Sequence, residues 1–527
     1  MSRSILRMAL SGVLLGSLFA ACMPARYLQV TTPTNREAVV SAQQHTLLSG
    51  NEAALEQISK GLVIAMQIEP PAIAPARHMS PAGGFMNELT HNGLFRMNYS
   101  DLEPLPDLII DWEAISDTLF EFRLREGVMF HNGEEMTAED VVASIFYLRT
   151  YFEARAYHGS VVGAEVVDRY TFRLDTGVPN AMLFSDLTNQ ANFILPKSLI
   201  EAGHDFTAQP IGSGPFVFDG WRAGESLHFV RFDDYFDDER SANLKYVHWR
   251  IIPEGPARAA ALEAGEVDYI VEVDFSDVAR LRANPNTEVV MIPGTMFNFM
   301  RMDNEIPHFE NVYVRRAIDM AIDKEAVLIA GMDGFGIPVR ENVPTVFAGS
   351  SSEGVRGFDP EGAMALLAEH RINPADISFT MLVTGEADRR RGEIIQANLA
   401  DIGIVMVIET VESATFLNAA KSGYYEAFFD SFMASSLIQF LRHISHINGN
   451  RNHMCDELYA LIDQAVATID TEARLAILEE ASRAANEHAG VIPMHLGKVI
   501  RAFNSNLVVP ELSATGAMHL NMVRWAE

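Results

Sequence analysis

The sequence predicts an α/β protein of several lobes, and three observations predict it. Its 527 residues exceed what one apolar core can serve, so two to four units are expected. Segments that are apolar at every second position alternate with segments carrying an apolar stripe at helical spacing. No repeat with a period of about 20–50 residues is present, which argues against a solenoid or propeller. Apolar residues at 48% and charged residues at 21% are ordinary for a folded chain, so disorder is not expected. Seventy acidic against 40 basic residues leave a net charge of −30. Such a surface repels phosphate backbones, so nucleic acid is not an expected partner.

The elements follow in order. Arg3 and Arg7 precede an apolar run from Met8 to Ala21, then Cys22. That is the layout of a secretory signal, and the run is too short to span a bilayer. "LFAAC" resembles the bacterial lipoprotein box, which predicts lipidation of Cys22, although Phe19 stands where leucine is usual. Residues 23–60 are polar and aperiodic at first, as suits a tether. With Cys22 lipidated, Cys455 is the one remaining cysteine, so no disulfide framework is expected.

Order is expected from Leu62 to Ile68, an apolar run of strand length closed by the prolines of "EPPAIAP". "TLFEFRLR" alternates as a strand, and "HNGE", His131 to Glu134, is a turn. Thr137 and Asp140 stand in capping-box spacing before a helix with Val141, Ile145 and Leu148 on one face. "YTFRLDT" is a further strand, and "ANFILPKSLI" leads into a turn and helix. "QPIGSGPFVFDGWRAGESLHFVRF" reads as a glycine-rich turn and two strands joined by "DGWRAGES". Val314, Ala317, Ile318, Ala321 and Ile322 form the stripe of one helix. "RGEIIQANLADIG" is a helix stopped by Gly403, followed by the strand "IVMVIETV". Leu458, Leu461, Ile462, Ala465, Val466 and Ile469 mark another helix.

Motifs for chemistry are sparse. "IGSGPF" lacks the lysine and hydroxyl of a phosphate-binding loop, and strands follow it, so it reads as a tight turn. The Asn98-Tyr99-Ser100 sequon reads as accidental, and "DRRR", Asp388 to Arg391, as a solvated face. No nucleophile elbow, H-E-x-x-H helix or paired-carboxylate motif is visible, so an enzyme is not expected.

In their order along the chain, several of these segments resemble those of the extracellular solute-binding proteins, family 5, of peptide and nickel ABC importers. "DLIIDWEAISDTLFEFRLREGVMFHNGEEMTAEDVVASI" carries the likeness most specifically. "PIGSGPFVFDGW", "ALEAGEVDYI", "NVYVRRAIDMAIDKEAV" and "EIIQANLADIGI" support it. The resemblance implies a two-lobed, periplasmic-binding-protein-like α/β fold of type II, with an extra domain and a hinge between the lobes. The first lobe would comprise 60–96, 209–294 and 490–527, the extra domain 97–208, and the second lobe 295–489. It further implies a monomeric receptor without cofactor that encloses a peptide-like or other small organic solute. Its partner would be an ABC permease, and its location the periplasm or cell surface, held to the membrane by the N-terminal lipid.

In peptide-binding members, a Gly-Trp-x-x-Asp motif supplies the aspartate that pairs with the peptide amino terminus. "SFMASS" occupies that place here, which puts Ser435 where the aspartate is expected; Asp430 is the nearest upstream acid. A buried ammonium needs a carboxylate, so the expected ligand has no free amine at that point. The expected ligand-binding residues are Met66, Gln67 and Glu69 after the first strand, Phe297 and Asn298 near the second hinge crossing, and Phe432, Met433, Ala434, Ser435 and His443. His443 and His446 would share a helical face, with His453 and Cys455 in the loop before the next helix. These four define the alternative of a nickel or metallophore carrier, and, in a different class, of an exported metal-dependent hydrolase. A signalling receptor of the same fold is a further alternative.

Overall fold

In a computed structural model, residues 60–75, 81–99, 102–151, 161–447, 450–451 and 455–526 are described. Cys22 and His453 lie outside these residues. No helix among the described residues is long and apolar enough to cross a membrane.

An eleven-stranded mixed sheet runs through the molecule. Its two longest strands, Thr287–Met302 and Val491–Asn504, pair antiparallel at the centre. On one side lie Leu62–Met66 and Tyr246–Ile251, paired in parallel, and the hairpin Phe216–Arg222/Ser226–Arg231. On the other lie Ala427–Met433, Ser378–Val383 and Val405–Thr410. The central pairing loses register between Pro293 and Phe297, where proline cannot donate to the ladder. The long strands therefore connect two separately packed halves. Leu62, Ile64, Phe216, Trp249 and Phe503 belong to the core of one half. Ile318, Phe379, Ile395 and Met406 belong to the core of the other. A four-stranded antiparallel sheet, with Leu119–Leu124 and Thr171–Asp175 at its centre, packs Phe122 and Phe172 against the helix Ala138–Leu148 in a core of its own.

Local chemistry explains several elements. The Asp140 carboxylate accepts from the Thr137 backbone N–H at 2.8 Å and its hydroxyl at 2.9 Å, closing the predicted helix start. The glycine-rich turn lies against the end of the helix Pro81–Thr90, and a Cβ on Gly212 or Gly214 would strike its backbone. His131 of the "HNGE" turn donates its backbone N–H to the Gly212 carbonyl at 2.8 Å, and its ring Nε2 lies 2.9 Å from the Gly214 oxygen. Two segments that carry the family likeness therefore meet in space.

Three expectations are corrected. The helix of the Val314–Ile322 stripe stops at Ala321, and Ile322 is its C-cap rather than part of it. Helices Val312–Ala321 and Lys324–Met332 are separate, and the Asp323 side chain caps the second. The strand after the glycine-rich turn runs through Asp219–Arg222, leaving three residues as the connection. "DRRR" is not wholly a solvated face. Arg391 is largely buried, pairs with Asp388 and lies 4.2 Å above the Phe429 ring.

Candidate functional site

A cavity of about 330 Å³ opens where the halves and the small sheet domain converge. Each wall comes from a different stretch of chain. Helix Pro81–Thr90 presents Phe85 and Glu88, and the strand Phe95–Met97 presents Arg96, with Tyr99 beyond it. Asn189 and Gln190 come from the small domain, and Thr515 to Asn521 from near the C-terminus. Met433, Ala434, Ser435 and Gln439 close the opposite side.

The Ser435 wall follows from its neighbours. Ala427–Met433 pairs with the long strand Thr287–Met302, ending at Met433 opposite Met296. The chain then enters the helix Leu437–Ser445. There Ser436 Oγ accepts from the Gln439 N–H at 3.3 Å. Gln439 Oε1 accepts from the Ser435 N–H at 2.8 Å and its hydroxyl at 3.0 Å. This is a capping box shifted by one residue. The first turn carries no acid, so the end of the helix that meets the cavity keeps its partial positive charge.

Behind this wall Asp430 is already engaged. Arg301, 1% exposed, donates its Nε to Asp430 at 2.8 Å and its terminal nitrogens to the carbonyls of Ile444 and His443, each at 3.2 Å. His443 Nε2 lies 3.5 Å from the same carboxylate, and its ring stacks on Phe432 at 3.8 Å. Burial works to raise the Asp430 carboxyl. The neighbouring His443 and the charge of Arg301 outweigh it and hold the carboxyl below the usual range.

The facing wall is polar and partly buried. Tyr99 donates to Glu88 at 3.2 Å, and its ring lies against that of His519, centroids 4.1 Å apart and tilted by 30°. Burial pushes the Glu88 carboxyl up to about 7 against that hydrogen bond. Burial, then the charges of Arg96 and Arg240, holds His519 down at about 4. Asp107 is paired with Arg240 and accepts from Asn92 at 2.9 Å.

Of the expected ligand residues, the structure brings Met433, Ala434 and Ser435 to the cavity. Met66 and Phe297 are fully buried in apolar cores. Glu69 accepts from Trp221 Nε1 at 3.1 Å and the Gly224 N–H at 2.7 Å, tying down the hairpin turn. Gln67 is exposed, and its N–H donates to Glu272 at 3.2 Å. Asn298 bonds the Met296 carbonyl at 3.3 Å, and Phe432 and His443 stand behind the wall. His443 and His446 do not share a helical face. The helix ends at Ser445, and His446 pairs with Arg451 in a short hairpin. Cys455 takes the N-cap position of the helix Asp456–Ala467. Among the described residues, no group of three or more His, Cys, Asp or Glu could hold a metal. Glu88, Arg96, Tyr99 and His519 were not legible in the sequence, being spread over more than 400 positions. The one local signal was Arg96 following the core aromatic Phe95 on one short strand.

Paired halves joined by long central strands, with an open cavity where they converge, define a two-lobed fold. HbpA2 of Haemophilus parasuis shares this fold, with a TM-score of 0.79 at 23% identity over 89% of this chain and 100% of that one. Heme-binding protein A of Haemophilus influenzae is 26% identical over 441 residues, 76% of this chain and 80% of that protein. The dipeptide-binding protein of Escherichia coli is 25% identical over 371 residues, 64% and 69% respectively. The family model of bacterial extracellular solute-binding proteins, family 5 (middle), matches residues 103–440. The chain belongs to that family: it is an exported, non-enzymatic solute-binding protein of an ABC importer.

Proposed function

We propose that this protein is a lipid-anchored receptor that encloses a peptide-like or other small organic solute lacking a free amine, and delivers it to its permease. The lobes are 60–96 with 209–294 and 490–527, and 295–489, with 97–208 as the extra domain. The separate apolar cores support this division. Closure is a hinge motion stabilised by contacts that the solute makes only in the closed state.

The carrying observation is the Ser435 wall. Met433, Ala434, Ser435 and Gln439 offer the solute hydroxyl, amide and apolar groups but no carboxylate, and Asp430 is committed to Arg301. A serine hydroxyl can bond a neutral polar group but cannot neutralise an ammonium. Relatives named for heme and for dipeptides agree with a compact organic solute.

Native mass spectrometry of the mature protein, purified without refolding, tests this. An amine-free organic molecule released on denaturation is the expected result; an unmodified peptide would overturn it. Ser435→Asp should create binding of free-amine dipeptides, with a gain of about 10-fold or more, read by calorimetry. No gain would show that Ser435 is not the anchor position.

A further inference from the structure

One cation on the cavity wall is not neutralised by the protein itself. Arg96 stands in the strand Phe95–Met97, whose three residues all border the cavity, Phe95 being at the same time part of the small domain's core. Among the described residues Arg96 forms no ion pair, and its Nε is buried without a hydrogen-bond partner. The other lining guanidinium, Arg240, is committed to Asp107 and to Asp237, the latter at 2.7 Å. The lining carboxylates are occupied too. Asp107 holds Arg240, Glu88 receives the Tyr99 hydroxyl, and Asp186 has a partner of its own. The contacting Tyr99 and His519 rings sit beside Arg96 as uncharged walls, since burial keeps the phenol protonated and the imidazole neutral near pH 7.

A partly buried guanidinium with a desolvated, unpartnered N–H is unfavourable unless an acceptor completes it. An anionic group does so best, because the fork of N–H donors matches two oxygens at once. A neutral ligand would leave the charge uncompensated, and a cationic one would be repelled.

We propose that Arg96 takes an acidic group of the solute, a carboxylate or comparable anion, so that the transported class is acidic as well as amine-free. This rests on the solute reading given above. It adds a charge requirement on the wall opposite Ser435.

The test uses dipeptide libraries in four forms, with the amine free or acetylated and the C-terminus as acid or amide. They are captured by the mature protein and identified by native mass spectrometry. Wild type should hold acetylated acids over acetylated amides by about 10- to 100-fold, the contribution of a charge-assisted hydrogen bond. Arg96→Gln should bring that ratio close to one with an unchanged circular-dichroism spectrum, and Arg96→Lys should restore part of it. Equal capture of acids and amides by wild type, or an undiminished ratio in Arg96→Gln, would overturn the role of Arg96 while leaving the amine-free reading standing. A preference for free amines that keeps the acid requirement would overturn the amine-free reading alone. Capture of none of the four would remove both.

Discussion

Arg301 shapes the site without lining it. Its guanidinium holds Asp430 and two carbonyls at the end of the helix Leu437–Ser445, so one side chain both withdraws the nearest acid and anchors the helix that carries the Ser435 wall. Removing Asp430 would strand a buried cation. Asp430→Ala should therefore cost about 3–5 kcal/mol in urea unfolding. Asp430→Asn, which keeps one acceptor, should cost less. A loss below about 1 kcal/mol for the alanine variant would mean that the pair is solvated in solution.

At the scale of elements, the site depends on how turns meet helices. Gly214 approaches the backbone of Leu89, Thr90 and His91 so closely that a methyl group has nowhere to go, and its N–H donates to the Thr90 carbonyl at 3.0 Å. Gly214→Ala should destabilise by about 1–3 kcal/mol, read as a lowered Tm. Because it pushes the helix that carries Glu88, it should also weaken solute capture. Gly220→Ala, in open space on the neighbouring hairpin, is the matched control and should leave capture unchanged. Equal behaviour of the two would refute the packing argument. The sequence showed this turn to be tight; the helix that it presses on lies over 120 positions away and was not visible. His446 makes the same point. Its spacing from His443 suggested a shared helical face, but the helix stops one residue short of it.

For the whole molecule, buried histidines set the response to acid. His91 and His495 titrate near 6.5 when unfolded, but burial holds them at about 3 and about 4 in the fold. Between those values the unfolded chain binds more protons. Stability is therefore full above pH 6.5 and falls as pH drops, by at most about 1.4 kcal/mol per histidine per pH unit. Glu88 opposes this. Raised from 4.5 to about 7, it binds its proton more tightly in the fold and costs stability as pH rises through that window. Burial likewise holds His131 and His519 at about 4, so four groups against one predict a lower urea midpoint at pH 5 than at pH 7, with Glu88→Gln stabilising at pH 8 and neutral at pH 4. A flat profile, or a midpoint that rises in acid, would contradict these assignments.

The sequence by itself determined the class of fold, the alternation of Leu119–Leu124 and Thr171–Asp175, and the capping box at Thr137. Each of these is written in residues a few positions apart, where local sterics and hydrogen bonding act. Only the tertiary structure decided that Met66 and Phe297 are core, that Glu69 braces a hairpin, and that Arg301 occupies Asp430. Only the tertiary structure also brought Glu88, Arg96, Tyr99 and His519 to face Ser435. The physical reason is that a cavity wall is made by long-range packing. Whether a side chain is buried, paired or left facing the cavity depends on neighbours that the chain supplies from hundreds of residues away.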